Sequence, residues 1–215
     1  MAKDFGLEVL TSHRLLGGFI GSEEEKVSWV SKKIEAWIQY IGKISKVATY
    51  DPQSAFIAVS KSLQNEWNFI QRVINVDEVL FRSLKESICE SLLPNICGFE
   101  VNDLDANMML RPARFGGIGI RDPVKSAGHA FKTSLQSTLI LKDSITSGIP
   151  LDLNLHQLHS KAISRQCRLE DERKNTEEVE SFIENLPEEL QDYKTQLKRI
   201  TQGKCSSRLA ISKSQ

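Results

Sequence analysis

The residues with the clearest chemical promise lie in one stretch, LRPARFGGIGIRDP, residues 110–123. Arg111, Arg114 and Arg121, with Lys125 just beyond, stand against the single acid Asp122. Residues 110–125 therefore carry a local charge of plus three in a chain whose 28 basic and 28 acidic residues cancel. Guanidinium groups present fork-shaped donors to phosphate oxygens, and closely spaced glycines let main-chain N–H groups approach an anion. Contact with a nucleic-acid backbone is one chemistry this spacing allows, with Arg111, Arg114, Arg121 and Lys125 as candidate binding residues. The pattern G-G-x-G supplies neither the dinucleotide fingerprint nor a P-loop, so nucleotide binding of those kinds is not expected. The competing reading is conformational. Gly116, Gly117 and Gly119 form a structural turn, with Gly116 and Gly117 at positive φ, and Ile118 and Ile120 plug the core before a helix starts at Pro123. The turn accounts better for the glycines. The arginines, which a turn does not need, stay open between the two readings.

Other chemistry finds less support. The chain has no H-E-x-x-H, no G-x-S-x-G and no Asp-Asp pair, and its carboxylates cluster in charged runs such as EEE and EEVE. Two-metal chemistry needs convergent acids, so no catalytic residue, no metal site and no cofactor is expected, and the chain is not expected to be an enzyme by itself. Cys89, Cys97, Cys167 and Cys205 form no CxxC pair and read as reduced thiols, Cys89 on the apolar side of a helix. His129, His156 and His159 lack partners at a familiar metal spacing. Trp37 and Trp67 fall on apolar helical stripes, which leaves Trp29 as the plausible exposed platform for stacking on bases.

The elements that must hold these groups are mostly helices. Apolar segments at 6–10 and 14–20, joined by TSH, suggest an extended arm or hairpin, in which Gly17 and Gly18 weaken regular strand. Ser22 and Glu25 form a capping box ahead of Val27, Val30, Ile34, Trp37, Ile41, Ile44 and Ala48, one stripe at steps of three and four. Lys26, Lys32, Lys33, Glu35 and Lys43 then face water. Asp51-Pro52 starts a second helix, with Phe56, Val59, Leu63, Trp67, Ile70 and Ile74 inward. Asp77 caps a third, with Leu80, Phe81, Leu84, Ile88 and Leu92 inward and Pro94 ending it. NDLDANMML can add a short helical turn. Asp122-Pro123 repeats the start signal for a helix carrying Val124, Ala127, Ala130, Phe131, Leu135, Leu139 and Ile145, up to a break at SGIP. Beyond it lie leucines at 151, 155 and 158, a charged run, and a last helix opened by Pro187 through Leu190, Tyr193, Leu197 and Ile200. Residues 165–199 hold ten acids and seven bases, which reads as a solvated helical hairpin or arm.

The expected fold is therefore mainly α, an antiparallel helical bundle with a short N-terminal arm and a charged helical C-terminal arm. Its divisions are an extended arm or hairpin at 1–21, a helical bundle at 22–148, a charged helical arm at 149–202 and a disordered tail at 203–215. Zero net charge means that no global field draws the molecule to nucleic acid or to an acidic membrane. Apolar runs fall far short of the ~20 residues of a membrane span, and the N-terminus shows no secretory signal, so an intracellular protein without membrane contact is expected.

The order HRLLGGFIGS, a charged helix, DPQSAFIAVSKSLQNEWNFIQRV, a helix ending LLP, and then LRPARFGGIGIRDPVKSA resembles the region after the polymerase palm in reverse transcriptases of non-LTR-type mobile elements. Leu16, Gly17, Ile20 and Gly21 match that family's L-G-x-x-I-G segment. Leu110, Pro112, Arg114, Gly116, Gly117, Gly119, Ile120, Arg121 and Pro123 match its L-P-x-R-x-G-G-L-G-I-R-x-P motif, with Ala113 and Ile118 as departures. The likeness covers residues 10–145. It implies a helical thumb and connection fragment without the catalytic palm, whose partner is an RNA or DNA backbone held weakly. The alternative expectation is a protein-interaction module, in which the arm at 151–200 binds another protein or a second copy of itself.

Overall fold

In a computed structural model the chain is mainly α-helical, as the periodicity predicts, with one small antiparallel sheet. The structure describes residues 10–186 together with Lys194, Thr195 and Lys198. Pro187 and the stripe expected after it, Leu190, Tyr193, Leu197 and Ile200, lie outside the described residues, as does the tail at 203–215. Two compact units emerge: residues 1–101 with 122–134, and residues 102–121 with 135–215. The expected 22–148 bundle is thus distributed over both.

In the first unit, strands β1 (His13–Leu15) and β2 (Gly18–Ile20) pair antiparallel, with His13 opposite Ile20 and Leu15 opposite Gly18. The hairpin turns at Leu16 and Gly17, not at TSH as expected. Both residues have positive φ, which glycine adopts at little cost. A side chain at Gly17 would crowd the Phe69 ring, since its Cβ would sit 3.1 Å away.

Helix α1 (Glu23–Ala48) begins at the predicted capping box: the Glu25 N–H donates to Ser22 Oγ at 3.3 Å, and the Ser22 N–H donates to the Glu25 carboxylate at 3.4 Å. Its stripe buries Val30, Ile34, Trp37, Ile41 and Ala48, whereas Val27 remains exposed. The second rod opens at Pro52 behind the Asp51 cap and runs as α2 (Pro52–Ile57), a π-helical segment (Ala58–Leu63) and α3 (Gln64–Val73). The third begins with a 3₁₀ turn (Glu78–Phe81) capped by Asp77 and continues as α4 (Arg82–Ser87), a π-helical segment (Ile88–Leu92) and α5 (Leu93–Cys97). Pro94 therefore does not end this rod. It sits just after wide π turns, where the ordinary hydrogen-bond ladder is already interrupted and a residue without an N–H is tolerated. Gly98, at φ +75°, terminates the helix instead.

The three rods meet around Trp37, Trp67, Phe81, Leu84, Ile88 and Leu92, each at most 2 % exposed. Trp37 and Trp67 pack edge to face, and the indole N–H of Trp37 donates to Glu66 at 2.9 Å. Both tryptophans are core residues, as their stripe positions predict.

Helix α7 (Pro123–Ser137) starts within this unit. The buried side chain of Gln71 donates to the Pro123 carbonyl at 2.7 Å and accepts from the Ser126 hydroxyl at 2.7 Å. A Cβ at Gly128 would meet only the carboxylate of Glu78, the far end of an exposed, flexible side chain that can move aside. The helix ends at Ser137, and α8 (Leu139–Ser147) follows a break at Thr138, where the spacing predicts one continuous helix.

The second unit is built on α6 (Asp103–Met109), a 3₁₀ turn (Ala113–Phe115), α8 and α9 (Leu153–Glu184). Asp152 caps α9 by accepting from the N–H groups of Asn154 and Leu155. The C-terminal half of α9 contributes Val179 and Ile183 to a small core with Met108 and Phe115. Leu135, Leu139 and Ile145, expected to face inward, are exposed. No described helix is long and apolar enough to cross a membrane.

Candidate nucleic-acid interface

The glycine-rich stretch folds into a tight knot. Phe115 N–H donates to Pro112 O, Gly116 to Ala113 O, Gly117 to Pro112 O, Ile118 to Met109 O and Gly119 to Arg111 O, at 2.8–3.4 Å. Five successive amides are thereby satisfied within the loop, so none of them is left to cradle a phosphate. The positive φ angles fall at Gly116 (+85°) and Gly119 (+84°) and not at Gly117, which corrects the expected pair. Gly117 is required for a different reason. A Cβ there would lie less than 3.0 Å from the backbone N, C and O of Arg111, so only glycine permits this chain crossing. Ile120 is fully buried, as expected, and Ile118 is half-buried.

Arg111 is buried, and its side chain turns toward α9. Nε donates to the Asn107 carbonyl at 3.2 Å, Nη1 to the Asn175 carbonyl at 3.5 Å, and Nη2 lies 3.5 Å from the Glu178 carboxylate. Burial pushes its pKa below the ordinary arginine value, and the Glu178 charge opposes that shift. Arg114 Nη1 donates to Glu172 at 2.6 Å while its guanidinium lies 5.1 Å from the Phe115 ring centroid. Two of the four candidate cations thus act together, fastening the loop to the acidic half of α9. Sequence reasoning placed Glu172 and Glu178 in a solvated run and missed them as partners.

Arg121 and Lys125 are both exposed, one at the end of the loop and the other in the first turn of α7. Asp122 between them is buried. Its Oδ1 accepts from the N–H groups of Val124 and Lys125, and its Oδ2 lies 2.9 Å from Lys85 Nζ. The predicted Asp-Pro launch signal is therefore also an ion pair to α4.

The remaining candidates are less concentrated. His159 Nε2 lies 2.9 Å from the Gln136 carbonyl, and among the described residues no three His, Cys, Asp or Glu side chains converge on a point that could hold a metal ion. Trp29 is half-buried and stacks with Phe19 of the hairpin at 5.6 Å between centroids and 22° between planes, while Lys33 Nζ sits 5.6 Å from the Trp29 ring. This cluster groups two aromatic rings and a lysine outside the glycine-rich stretch. No protein-family model, no curated protein and no solved structure matches this chain.

Proposed function

We propose that the chain is a non-catalytic helical region of the reverse-transcriptase type, the thumb and connection segment that follows a polymerase palm, and that it handles nucleic acid weakly through phosphate contacts. The observation that carries this reading is the motif Leu110–Pro123, whose glycines, prolines and Asp122 each have a structural duty in the loop. A sequence pattern built for a specific chain crossing is expected of an inherited motif and not of a chance run of arginines and glycines. Arg121 and Lys125, both exposed, are the phosphate contacts in this reading. Fluorescence anisotropy at low salt with a labelled duplex and a labelled single strand tests the reading. Binding in the micromolar range that weakens steeply with salt supports it. No binding to either probe at tens of micromolar protein refutes it.

A second reading, as a protein-interaction module, rests on α8 and α9. Leu155, Leu158, Ala162 and Leu169 share one stripe of α9, and Leu155, Leu158 and Leu169 are 53 %, 68 % and 52 % exposed. Ile145, Ile149 and Leu153 are also exposed nearby in the chain. Light scattering on the wild-type chain and on a Leu155→Glu, Leu158→Glu variant tests self-association. An oligomer that the variant abolishes supports this reading, and a wild-type monomer removes a second copy as the partner.

A further inference from the structure

The solvent face of α1 carries an arrangement that the bundle does not use. From Lys26 to Ala48 the helix holds five lysines and one glutamate, a net charge of plus four in a neutral chain. Trp29, Lys32, Lys33, Tyr40 and Lys43 are spaced so that they share one face, flanking the buried stripe of Val30, Ile34, Trp37 and Ile41. Lys33 Nζ lies 5.6 Å from the Trp29 ring centroid, and Lys43 Nζ lies 5.7 Å from that of Tyr40, which is 46 % exposed. Among the described residues, Lys26 pairs with Glu23, whereas Lys32, Lys33, Lys43 and Lys46 have no carboxylate partner. Beside Trp29, an open cavity of about 440 Å³ is lined by Ser12, Phe19, Glu24, Ser28 and Lys32 among others.

We propose that this face is a binding site for single-stranded nucleic acid, with one base entering the cavity against Trp29, a second stacking on Tyr40, and the intervening phosphates held by Lys32, Lys33 and Lys43. The inference rests on the reading of the chain as a nucleic-acid-handling region and names both the surface and the strandedness of the ligand. Its physical basis is the alternation of aromatic rings and unpaired cations. Aromatic rings offer every base a stacking partner, whereas duplex DNA or RNA keeps its bases stacked inside and presents only phosphates. Each lysine that now rests on a ring has a flexible stem and can move to a phosphate when a base takes its place. Trp29 and Tyr40 are eleven residues apart, roughly 16 Å along the helix, a span of a few nucleotides. A lipid surface would call for a broad apolar face, whereas only two aromatic rings stand among these lysines. Two carboxylates, Glu24 and Glu25, also line the cavity; they would accept from an exocyclic amine of the inserted base and keep phosphates on the Lys32 side.

The test is anisotropy with fluorescein-labelled oligothymidine and oligocytidine of twenty nucleotides and a hairpin duplex of equal phosphate number, using the full chain. Tighter binding of the single strands than of the duplex is expected. Tyr40→Ala and Trp29→Ala should each weaken single-strand binding on the order of tenfold. The pair Lys32→Glu, Lys43→Glu should lower the slope of the salt dependence by about 0.7 for each phosphate no longer held. Tyr40, Lys32 and Lys43 are exposed, so their variants should melt like the wild type, and quenching of tryptophan emission by oligothymidine should disappear in Trp29→Phe. Duplex preference, or single-strand binding unchanged in the Tyr40 and lysine variants, overturns this inference and leaves the broader reading standing. Absence of wild-type binding to every probe overturns both.

Discussion

Replacing Arg111 by Met removes the guanidinium and keeps most of the aliphatic stem, so it isolates what the charge does in the knot. Two charge-assisted hydrogen bonds are lost, to the Asn107 and Asn175 carbonyls, and both are long, at 3.2 and 3.5 Å. At the low end of the usual range for such bonds they amount to about 3 kcal/mol. The ion pair with Glu178 adds at most about 1 kcal/mol, because the Glu178 side chain is 42 % exposed and its charge is screened by water. Relief of the desolvation cost of a buried cation offsets part of this, leaving a net loss of about 2 kcal/mol. With a urea m-value of about 2 kcal/mol/M, the unfolding midpoint should fall by about 1 M. All three tryptophans lie in residues 1–101, whereas Arg111 and the 32-residue helix α9 belong to the other unit. Far-UV circular dichroism should therefore register the loss more strongly than tryptophan emission. Glu178→Gln should cost less than half as much, since it leaves both carbonyl bonds in place. A midpoint unchanged to within about 0.2 M, together with weakened binding to nucleic acid, would refute the argument and return Arg111 to the role of a phosphate ligand.

Three further outcomes follow from the same geometry. Gly117→Ala should destabilise the chain by more than about 3 kcal/mol in thermal unfolding, because the added Cβ meets backbone, whereas Gly119→Ala, at positive φ in open space, should cost about 1–2 kcal/mol. Asp122→Ala removes the cap of α7 and leaves Lys85 without its buried partner, and it should cost about 2–4 kcal/mol in a urea titration, with Asp122→Asn intermediate. The Ser54 hydroxyl and backbone N–H bond the Asp51 carboxylate and hold its pKa below the ordinary 3.8. Because the folded value is depressed, the cap stabilises the chain fully above that pH and is lost as pH falls through the folded value. The difference in melting temperature between the wild type and Asp51→Asn should therefore narrow as the pH is lowered from about 6 to below about 3.

Most of the helical framework was legible in the sequence because its signals are local. The Ser22–Glu25 box, the Asp51-Pro52 and Asp122-Pro123 starts and the stripe from Val30 to Ala48 depend on neighbours within one or two turns, and the structure places each of them as the spacing predicts. The break at Thr138 and the run through Pro94 were not legible, since both depend on local backbone geometry that helical periodicity does not report.

The sequence by itself determined where α1, the second and third rods and α7 start, which face of α1 is buried, and that Trp37 and Trp67 are core residues. Only the tertiary structure decided what the charges do. Arg111 and Arg114 find Glu178 and Glu172 some sixty residues away, and no local pattern encodes a pairing at that separation. Gly117 is fixed by the backbone of Arg111 crossing over it, a close approach that a turn signature cannot reveal. The exposure of Leu135, Leu139 and Ile145 has the same origin: a stripe shows which side chains share a face, but whether that face is covered depends on what the rest of the chain brings to it.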